Sequence, residues 1–155
     1  MRRKDREITD INEIISMLKE FQVCNLAFND KDYPYVIPLN FGYKAEGGSV
    51  KLYFHGANEG KKIDLINADN KAAFSMYKVD EIAIYNEASK STTMYKSVCG
   101  RGRIRFIDDY NEKLEAFKAI MAKYCENDDF VYNENAVRHT CVYELAAEDI
   151  SGKKH

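Results

Sequence analysis

The amino-acid sequence predicts a mainly-β fold with flanking helices, in which antiparallel strands close into a barrel. The first observation is the balance of patterns: about six strand-like runs and about three helical patterns fit one domain, residues 1–155. The second is that short turns, such as residues 29–32 and 47–48, join most neighbouring runs, which requires antiparallel pairing. An antiparallel sheet of this size usually closes to remove its edges.

The first half of the chain alternates helix and strand patterns. Apolar residues at helical spacing predict a helix over residues 10–22, with Asp10 and Glu13 at its start. Strands are predicted over residues 23–28, 33–43 and 50–56. A short helix follows over residues 60–68, and residues 72–78 have the pattern of a further strand.

The second half begins with residues 79–92, which lack a clean period and are predicted to form a loop that could act as a lid. A long strand follows over residues 93–107, where Gly100 and Gly102 indicate a bulge or bend. Asp109 and Glu112 open another helix, residues 126–135 are loop-like, and residues 137–145 form the last predicted strand. The basic tail, residues 153–155, is expected to be mobile.

Composition excludes several classes of protein. The hydrophobic share of 45% is too high for a disordered chain, and a formal charge of −2 argues against broad nucleic-acid binding. The basic start is not followed by an apolar run, so it has neither the pattern of a signal peptide nor that of an anchor. No apolar stretch reaches transmembrane length, and we therefore expect a cytoplasmic protein.

The cysteines give no sign of a metal centre. None of the four belongs to a CxxC pair, and without a secretion signal we expect reduced thiols. Cys24 and Cys141 fall in apolar runs typical of a core. A zinc site from Cys125, His139 and Cys141 would match no known ligand spacing, and no sequence feature pairs Cys99 with a base.

The strand predicted over residues 33–43 presents two different faces, because side chains alternate along a strand. One face is apolar and typical of a core: Ile37, Leu39, Phe41 and Tyr43. The other is small and nearly flat: Val36, Pro38, Asn40 and Gly42. A planar ligand could lie on the flat face, with Asn40 supplying directional hydrogen bonds. The alternative is an edge strand facing solvent, and Pro38 does indicate an edge or a bulge.

The helix predicted to start at Gly60 suits an anion. Unpaired N–H groups at a helix N-terminus carry partial positive charge, and Lys61 and Lys62 add full charges in the first turn. Cations there oppose the helix dipole unless an anion is bound, which favours a phosphate over a solvated helix face. His55, before Gly56-Ala57, lies close enough in sequence to contact the same ligand; otherwise it is a structural residue. These features together indicate a nucleotide-like cofactor.

Other candidate motifs are weaker. Arg101, Arg103 and Arg105 share one face of a strand, and a solvated face explains them better than a positive wall for a ligand or partner. The glycines between them do not form a dinucleotide-binding motif, and no P-loop, HExxH, EF-hand or GxSxG pattern is present.

These residues resemble the flavin-binding split barrels related to pyridoxamine 5'-phosphate oxidase, in particular the nitroimidazole-resistance (Nim-type) reductase branch. The similar segments span most of the chain: MRRKDREI (1–8), YPYVIPLNFGY (33–43), LYFHGANEGKKIDLI (52–66), YKSVCGRGRIRFI (95–107) and ISGKK (150–154). Among them, FHGANEGKKIDLI is the most specific. The core oxidases carry a C-terminal Arg-x-His motif, whereas this chain has Arg138 directly before His139.

The resemblance implies a split β-barrel of about six strands, a homodimer, and FMN, with FAD second, bound at the dimer interface. Residues along the flavin ring would be Pro38, Leu39 and Asn40. His55, Gly56 and Ala57 would continue toward the ribityl chain, and the start of the helix would hold the phosphate through Gly60, Lys61 and Lys62. Ser97 and Val98 would complete the pocket, and His55 would be the functional histidine.

Two functions fit such a pocket. The first is a flavin-dependent oxidoreductase that reduces small electrophiles such as nitroaromatics, with NAD(P)H or another protein as electron donor. The second is a flavin carrier, store or sensor without turnover. The sequence carries no nicotinamide-binding motif and does not distinguish the two functions.

Overall fold

The structure, a computed structural model, describes residues 3–127 and 129–155. Met1 and Arg2, which open the first segment of the resemblance, lie outside the described residues, as does Asp128 in the predicted loop. The described residues form these helices: α1 Ile11–Glu20, α2 Lys61–Ala68, α3 Tyr110–Tyr124 and α4 Glu134–His139. They form these strands: β1 Glu7–Ile8, β2 Cys24–Phe28, β3 Tyr35–Leu39, β4 Gly42–Glu46, β5 Ser49–Gly56, β6 Lys71–Ala83, β7 Thr92–Ile107 and β8 Cys141–Lys154.

The strands form one antiparallel sheet. Its order is β3-β2-β6-β7-β8-β5-β4, and β1 pairs with the end of β8. The antiparallel prediction is confirmed. The predicted strand count and closure are wrong, because the sheet has eight strands and its hydrogen-bonded path is open, with β3 and β4 at its two ends.

The difference arises at residues 40–41, where the strand predicted over residues 33–43 breaks into β3 and β4. β3 pairs with β2, whereas β4 pairs with β5 at the opposite end of the sheet. Both end strands nevertheless pack on the same core as the central strands, so the open sheet curves around one apolar interior. Pro38 lies on β3, and its predicted place on an edge strand is confirmed.

The helices α1, α2 and α3 begin within a residue or so of the predicted starts. The Asp10 side chain accepts a hydrogen bond from Asn12 N at the start of α1, and the Asp109 side chain accepts one from Glu112 N at the start of α3. α4 lies within stretches predicted as loop and strand, and the Asn133 side chain caps it. No helix in the described part of the chain is long and apolar enough to cross a membrane.

The predicted loop at residues 79–92 is shorter than predicted, because β6 continues to Ala83 and β7 begins at Thr92, which leaves residues 84–91 to connect the long β6–β7 hairpin. β6 and β7 pair with each other through residues 79–95, beyond the point where β2 and β8 accompany them. We call this projecting part, residues 79–95, the arm. A register shift between Val79 and Glu81 marks a bulge at its base, and the bulge predicted near Gly100 and Gly102 is confirmed by a shift between Arg101 and Gly102.

The C-terminal segment is ordered into the sheet rather than mobile. Lys153 and Lys154 belong to β8, where Lys153 pairs with Glu7 of β1 and with Ser97 of β7. Backbone hydrogen bonds on both sides hold this segment, because the two ends of the described chain lie next to each other in the sheet.

Candidate functional site

The start of α2 is built to expose backbone N–H groups. Gly60 occupies the N-cap position with φ +110°, a conformation that favours glycine, and no side chain caps the helix. The first N–H groups of a helix have no partner inside it. In α2, Ile63 N already donates to Gly60 O at 2.8 Å. The N–H groups before it are available to a ligand with acceptor oxygens, at the positive end of the helix dipole.

The two lysines of this first turn have different surroundings. Lys61 forms an ion pair with Asp30, which precedes β3, and its ammonium lies 5.4 Å from the centroid of the Tyr35 ring. This contact joins α2 to the β2–β3 hairpin. The charge of Lys61 therefore already faces the Asp30 carboxylate, and Lys61 does not require a bound anion to balance it.

Lys62 has no carboxylate partner among the described residues. Its Nζ lies 5.2 Å from the centroid of the Tyr143 ring, and partial burial lowers the pKa of this amine. The ammonium also lies over Gly56, where a Cβ atom would come within 2.8 Å of Nζ. A glycine at the end of β5 is therefore what leaves room for the Lys62 side chain. Burial without a paired anion makes Lys62 the residue best placed to bind one.

His55 stands next to this pair at the end of β5. Its ring centroid lies 5.7 Å from that of Phe117 on α3, and its side chain is exposed. Desolvation by neighbouring groups, and to a smaller extent the charge of Lys62, lower the pKa of His55, which favours the neutral imidazole. No hydrogen bond to the His55 side chain occurs within the described residues, which weakens the alternative of a structural histidine held by a hydrogen bond.

The residues predicted to line a flat ring lie at the end of the edge strand. Pro38 is exposed, Leu39 packs partly into the core, and Asn40 Nδ2 donates a hydrogen bond of 3.4 Å to Gln22 O. Gly42 does not belong to the same exposed face. It is buried against α3, where a Cβ atom would come within 2.4 Å of Ile120 N, because the strand ends before Gly42 and the chain turns.

Ser97 and Val98 lie on β7, across β2 and β6 from Pro38. Val98 is fully buried in the core, so its side chain does not face solvent. Ser97 is half-buried on the opposite face, in register with Tyr77 and Lys153. The structure thus gathers His55, Gly56, Ala57, Gly60 and Lys62 at one corner. It places Pro38–Asn40 at the end of β3 and Ser97–Val98 on β7, with two strands between them.

Comparison with known proteins addresses the family directly. A sequence profile described as pyridoxamine 5'-phosphate oxidase matches residues 10–154. The chain belongs to this family. No curated protein matches the chain significantly.

Solved structures agree with the family assignment. A candidate 5-nitroimidazole antibiotic resistance protein from Bacteroides thetaiotaomicron is 28% identical with a TM-score of 0.82, covering 96% of this chain and 86% of that one. An FAD- and heme-binding protein from Mycobacterium smegmatis has a TM-score of 0.82 at 17% identity, covering 96% of this chain and 73% of that one. An FAD-binding protein from Mesorhizobium loti has a TM-score of 0.67 at 22% identity, covering 97% of each chain. These likenesses are consistent with the split-barrel fold, although the strand count differs.

Arg138 and His139 of this family member are both engaged within α4. Arg138 pairs with Glu134 at 2.7 Å and lies 4.6 Å from the Tyr110 ring, while His139 Nδ1 is 2.8 Å from Asn135 O. The His139 backbone carbonyl accepts a hydrogen bond of 2.8 Å from Asn58, which precedes α2. The adjacent pair also lacks the spacing of the Arg-x-His motif of the core oxidases.

The three arginines of β7 have carboxylate partners. Arg101 pairs with Asp149, Arg103 with Glu148, and Arg105 with both Glu144 and Glu112. Their charges are therefore balanced along β8 and α3, which supports a solvated ionic face rather than a wall for an anionic ligand.

The sequence did not predict the partners of Lys61 and Lys62, which are Asp30, Tyr35 and Tyr143, because long-range packing creates these contacts and no local pattern marks them.

Proposed function

We propose that this protein binds FMN, with FAD as the second candidate, and that the corner at Lys62 holds the phosphate. The observation that carries the proposal is the half-buried Lys62 ammonium, which lacks a carboxylate partner beside the uncapped start of α2. The corner fits such a group: the Lys62 ammonium lies beside the uncapped start of α2, and Gly56 leaves room for that ammonium. Lys61, already paired with Asp30, has a secondary role.

The ring of the flavin would lie along Pro38, Leu39 and Asn40, with His55 and Ala57 toward the ribityl chain and Ser97 completing the pocket. The side chain of Val98 is buried in the core, so Val98 would contribute through its backbone alone. Support comes from the exposed end of β3 and from the flavin-binding relatives in the M. smegmatis and M. loti comparisons. A bound flavin supplies hydride and one-electron chemistry. The protein binds and orients the flavin, and a neutral His55 can accept or donate a hydrogen bond beside it.

We further propose an oxidoreductase that reduces nitroaromatic compounds such as 5-nitroimidazoles. The support is the similarity to the B. thetaiotaomicron protein, which covers nearly the whole of this chain. The second candidate remains a flavin carrier or sensor without turnover, because the same pocket serves both functions. We also propose a cytoplasmic location, as expected from the sequence.

We also propose a homodimer with the flavin at its interface. Large apolar side chains are exposed along the arm, where Ile82 and Ile84 leave 62% and 75% of their surfaces to solvent. Val36 on the unpaired edge of β3 is also exposed. Exposed apolar side chains next to an unpaired strand edge are typical of a surface that a second copy covers.

The test is titration of purified protein with FMN, FAD and riboflavin, followed by anaerobic reduction and exposure to a 5-nitroimidazole. We expect yellow protein or saturable uptake of FMN, and reoxidation of the reduced complex by the nitro compound. A protein that takes up none of the flavins contradicts the proposed cofactor. Saturable binding without reoxidation by any nitroaromatic favours the carrier over the enzyme.

A further inference from the structure

The C-terminal end of α3 contacts the backbone at two places that sequence motifs do not connect. Lys123 Nζ donates hydrogen bonds to Leu18 O at 2.8 Å and to Lys19 O at 3.2 Å, two carbonyls in the last turn of α1. The same ammonium lies 4.7 Å from the centroid of the Phe41 ring. Lys123 therefore ties the end of α1 to the corner between β3 and β4.

Tyr124 completes the connection. Its hydroxyl accepts a hydrogen bond from Phe41 N at 3.0 Å and donates one to Gln22 O at 2.7 Å. Phe41 is fully buried and lies in the break between β3 and β4, so its N–H would otherwise have no sheet partner. One phenol hydroxyl thus satisfies a donor and an acceptor that belong to different segments.

Gln22 O also links Tyr124 to Asn40, which lies directly before Phe41. Asn40 Nδ2 donates to the same carbonyl at 3.4 Å. An asparagine amide offers one acceptor oxygen and two N–H donors. With one N–H directed at Gln22 O, the orientation of the amide is restrained, and the carbonyl oxygen and the second N–H remain for a ligand.

We propose that Tyr124 is a positioning residue for the flavin ring, acting through Gln22 O and the Phe41 backbone on the orientation of Asn40. This inference rests on the proposed function, in which Asn40 contacts the ring. Tyr124 touches neither cofactor nor substrate. Its role is to hold the end of β3 in one geometry, so that Asn40 is oriented before the ring binds.

The experiment compares Tyr124→Phe with wild type in the full chain, using riboflavin and FMN as separate probes. Tyr110→Phe, on the same helix, is the control, because within the described residues the Tyr110 hydroxyl has no hydrogen-bond partner. We expect Tyr124→Phe to weaken both flavins by the same factor, about tenfold, since the change acts on the ring. The visible absorption bands of the bound flavin should also shift, which a loss of stability alone would not produce.

A double-variant cycle tests the route through Asn40. In an Asn40→Ala background, Tyr124→Phe should change flavin affinity by less than about twofold, because the side chain that it orients is absent. Equal losses in both backgrounds overturn the proposed route. Normal flavin affinity in Tyr124→Phe, with only a lower melting temperature, shows that Tyr124 is structural and overturns the inference alone. Wild type that binds no flavin overturns the proposed function together with this inference.

Hydrogen exchange of wild type gives a second measurement that does not depend on a folded variant. The Phe41 amide is held by Tyr124, and riboflavin should slow its exchange further if ring binding stabilises this corner. Unchanged exchange at Phe41 under saturating riboflavin contradicts the inference.

Discussion

At the scale of single residues, two adjacent lysines differ because of what each meets in space. Lys61 reaches across to Asp30, whereas Lys62 folds back over Gly56 toward the buried ring of Tyr143. An ammonium with a carboxylate partner gains little from a phosphate, while one that lacks a partner gains a charge-assisted bond. The lysines therefore offer a matched pair of variants.

We expect Lys62→Ala to weaken FMN binding by about 1.5–3 kcal/mol more than riboflavin binding, because only FMN carries the phosphate. Lys61→Ala should have the smaller effect, since Asp30 already shares its charge. Calorimetric titration of each variant with both flavins measures the difference. If Lys62→Ala reduces the affinity for both flavins equally, the lysine does not bind the phosphate.

His55 is the residue on which turnover can be tested. We expect His55→Ala to keep FMN but to slow the anaerobic reoxidation of dithionite-reduced flavin by a nitroimidazole, because the neighbouring neutral imidazole can donate a hydrogen bond there. The lowered pKa keeps this group neutral from pH 7 upward, so the difference between variant and wild type should persist there. Reoxidation at the wild-type rate removes His55 from the mechanism.

At the scale of elements, the packing of β4 against α3 depends on Gly42. A Cβ atom there would lie 2.4 Å from Ile120 N and 2.6 Å from Ala119 C, and backbone atoms inside a helix cannot move aside easily. At Gly56, by contrast, a Cβ would meet only the flexible end of Lys62.

Gly42→Ala should therefore destabilise the protein by about 1–3 kcal/mol or more, as overpacking does. Gly56→Ala is the control, and its free energy of unfolding should stay close to that of wild type. Denaturant unfolding of both variants, at unchanged slope, measures this. Equal stability of the two variants would show that α3 shifts away from β4 at little cost.

The helices and strands also show which boundaries can be predicted from local sequence patterns. Asp10 and Asp109 mark helix starts correctly, because capping depends on residues within one turn. The break after Leu39 is not marked, since Tyr124 and the α3 backbone, remote in sequence, hold Phe41 and Gly42. The arm was missed because the register shift between Val79 and Glu81 interrupts the alternation that identifies a strand.

At the scale of the whole molecule, the arm and the edge of β3 leave apolar surface uncovered. We expect light scattering of the flavin complex to give twice the 17.9 kDa mass of the chain. Ile84→Lys should shift the mass toward the monomer, because a charge would then have to be buried in the interface.

Val131→Lys is the matched control, since Val131 is 96% exposed outside the arm. Its mass should equal that of wild type. A wild-type monomer that still holds flavin would contradict the dimer.

The candidate site, which joins residues from several parts of the molecule, was only partly predictable from the sequence. The motif around His55 and Lys62 identified one corner, since its residues lie close together in sequence. Lys61 was grouped with Lys62, because sequence spacing does not reveal an ion pair to Asp30 on another hairpin. The aromatic partner Tyr143 comes from β8, and no pattern near α2 indicates it.

The position of β8 has a consequence for how the chain folds during synthesis. This strand lies between β7 and β5 and also holds β1, yet among the described strands it comes last in chain order. Until residues 141–154 emerge, β5 and β7 lack their shared neighbour and Ile8 has no strand beside it. We therefore expect folding to finish after translation of this segment, slowly for so small a protein, with exposed strand edges that a chaperone would shield.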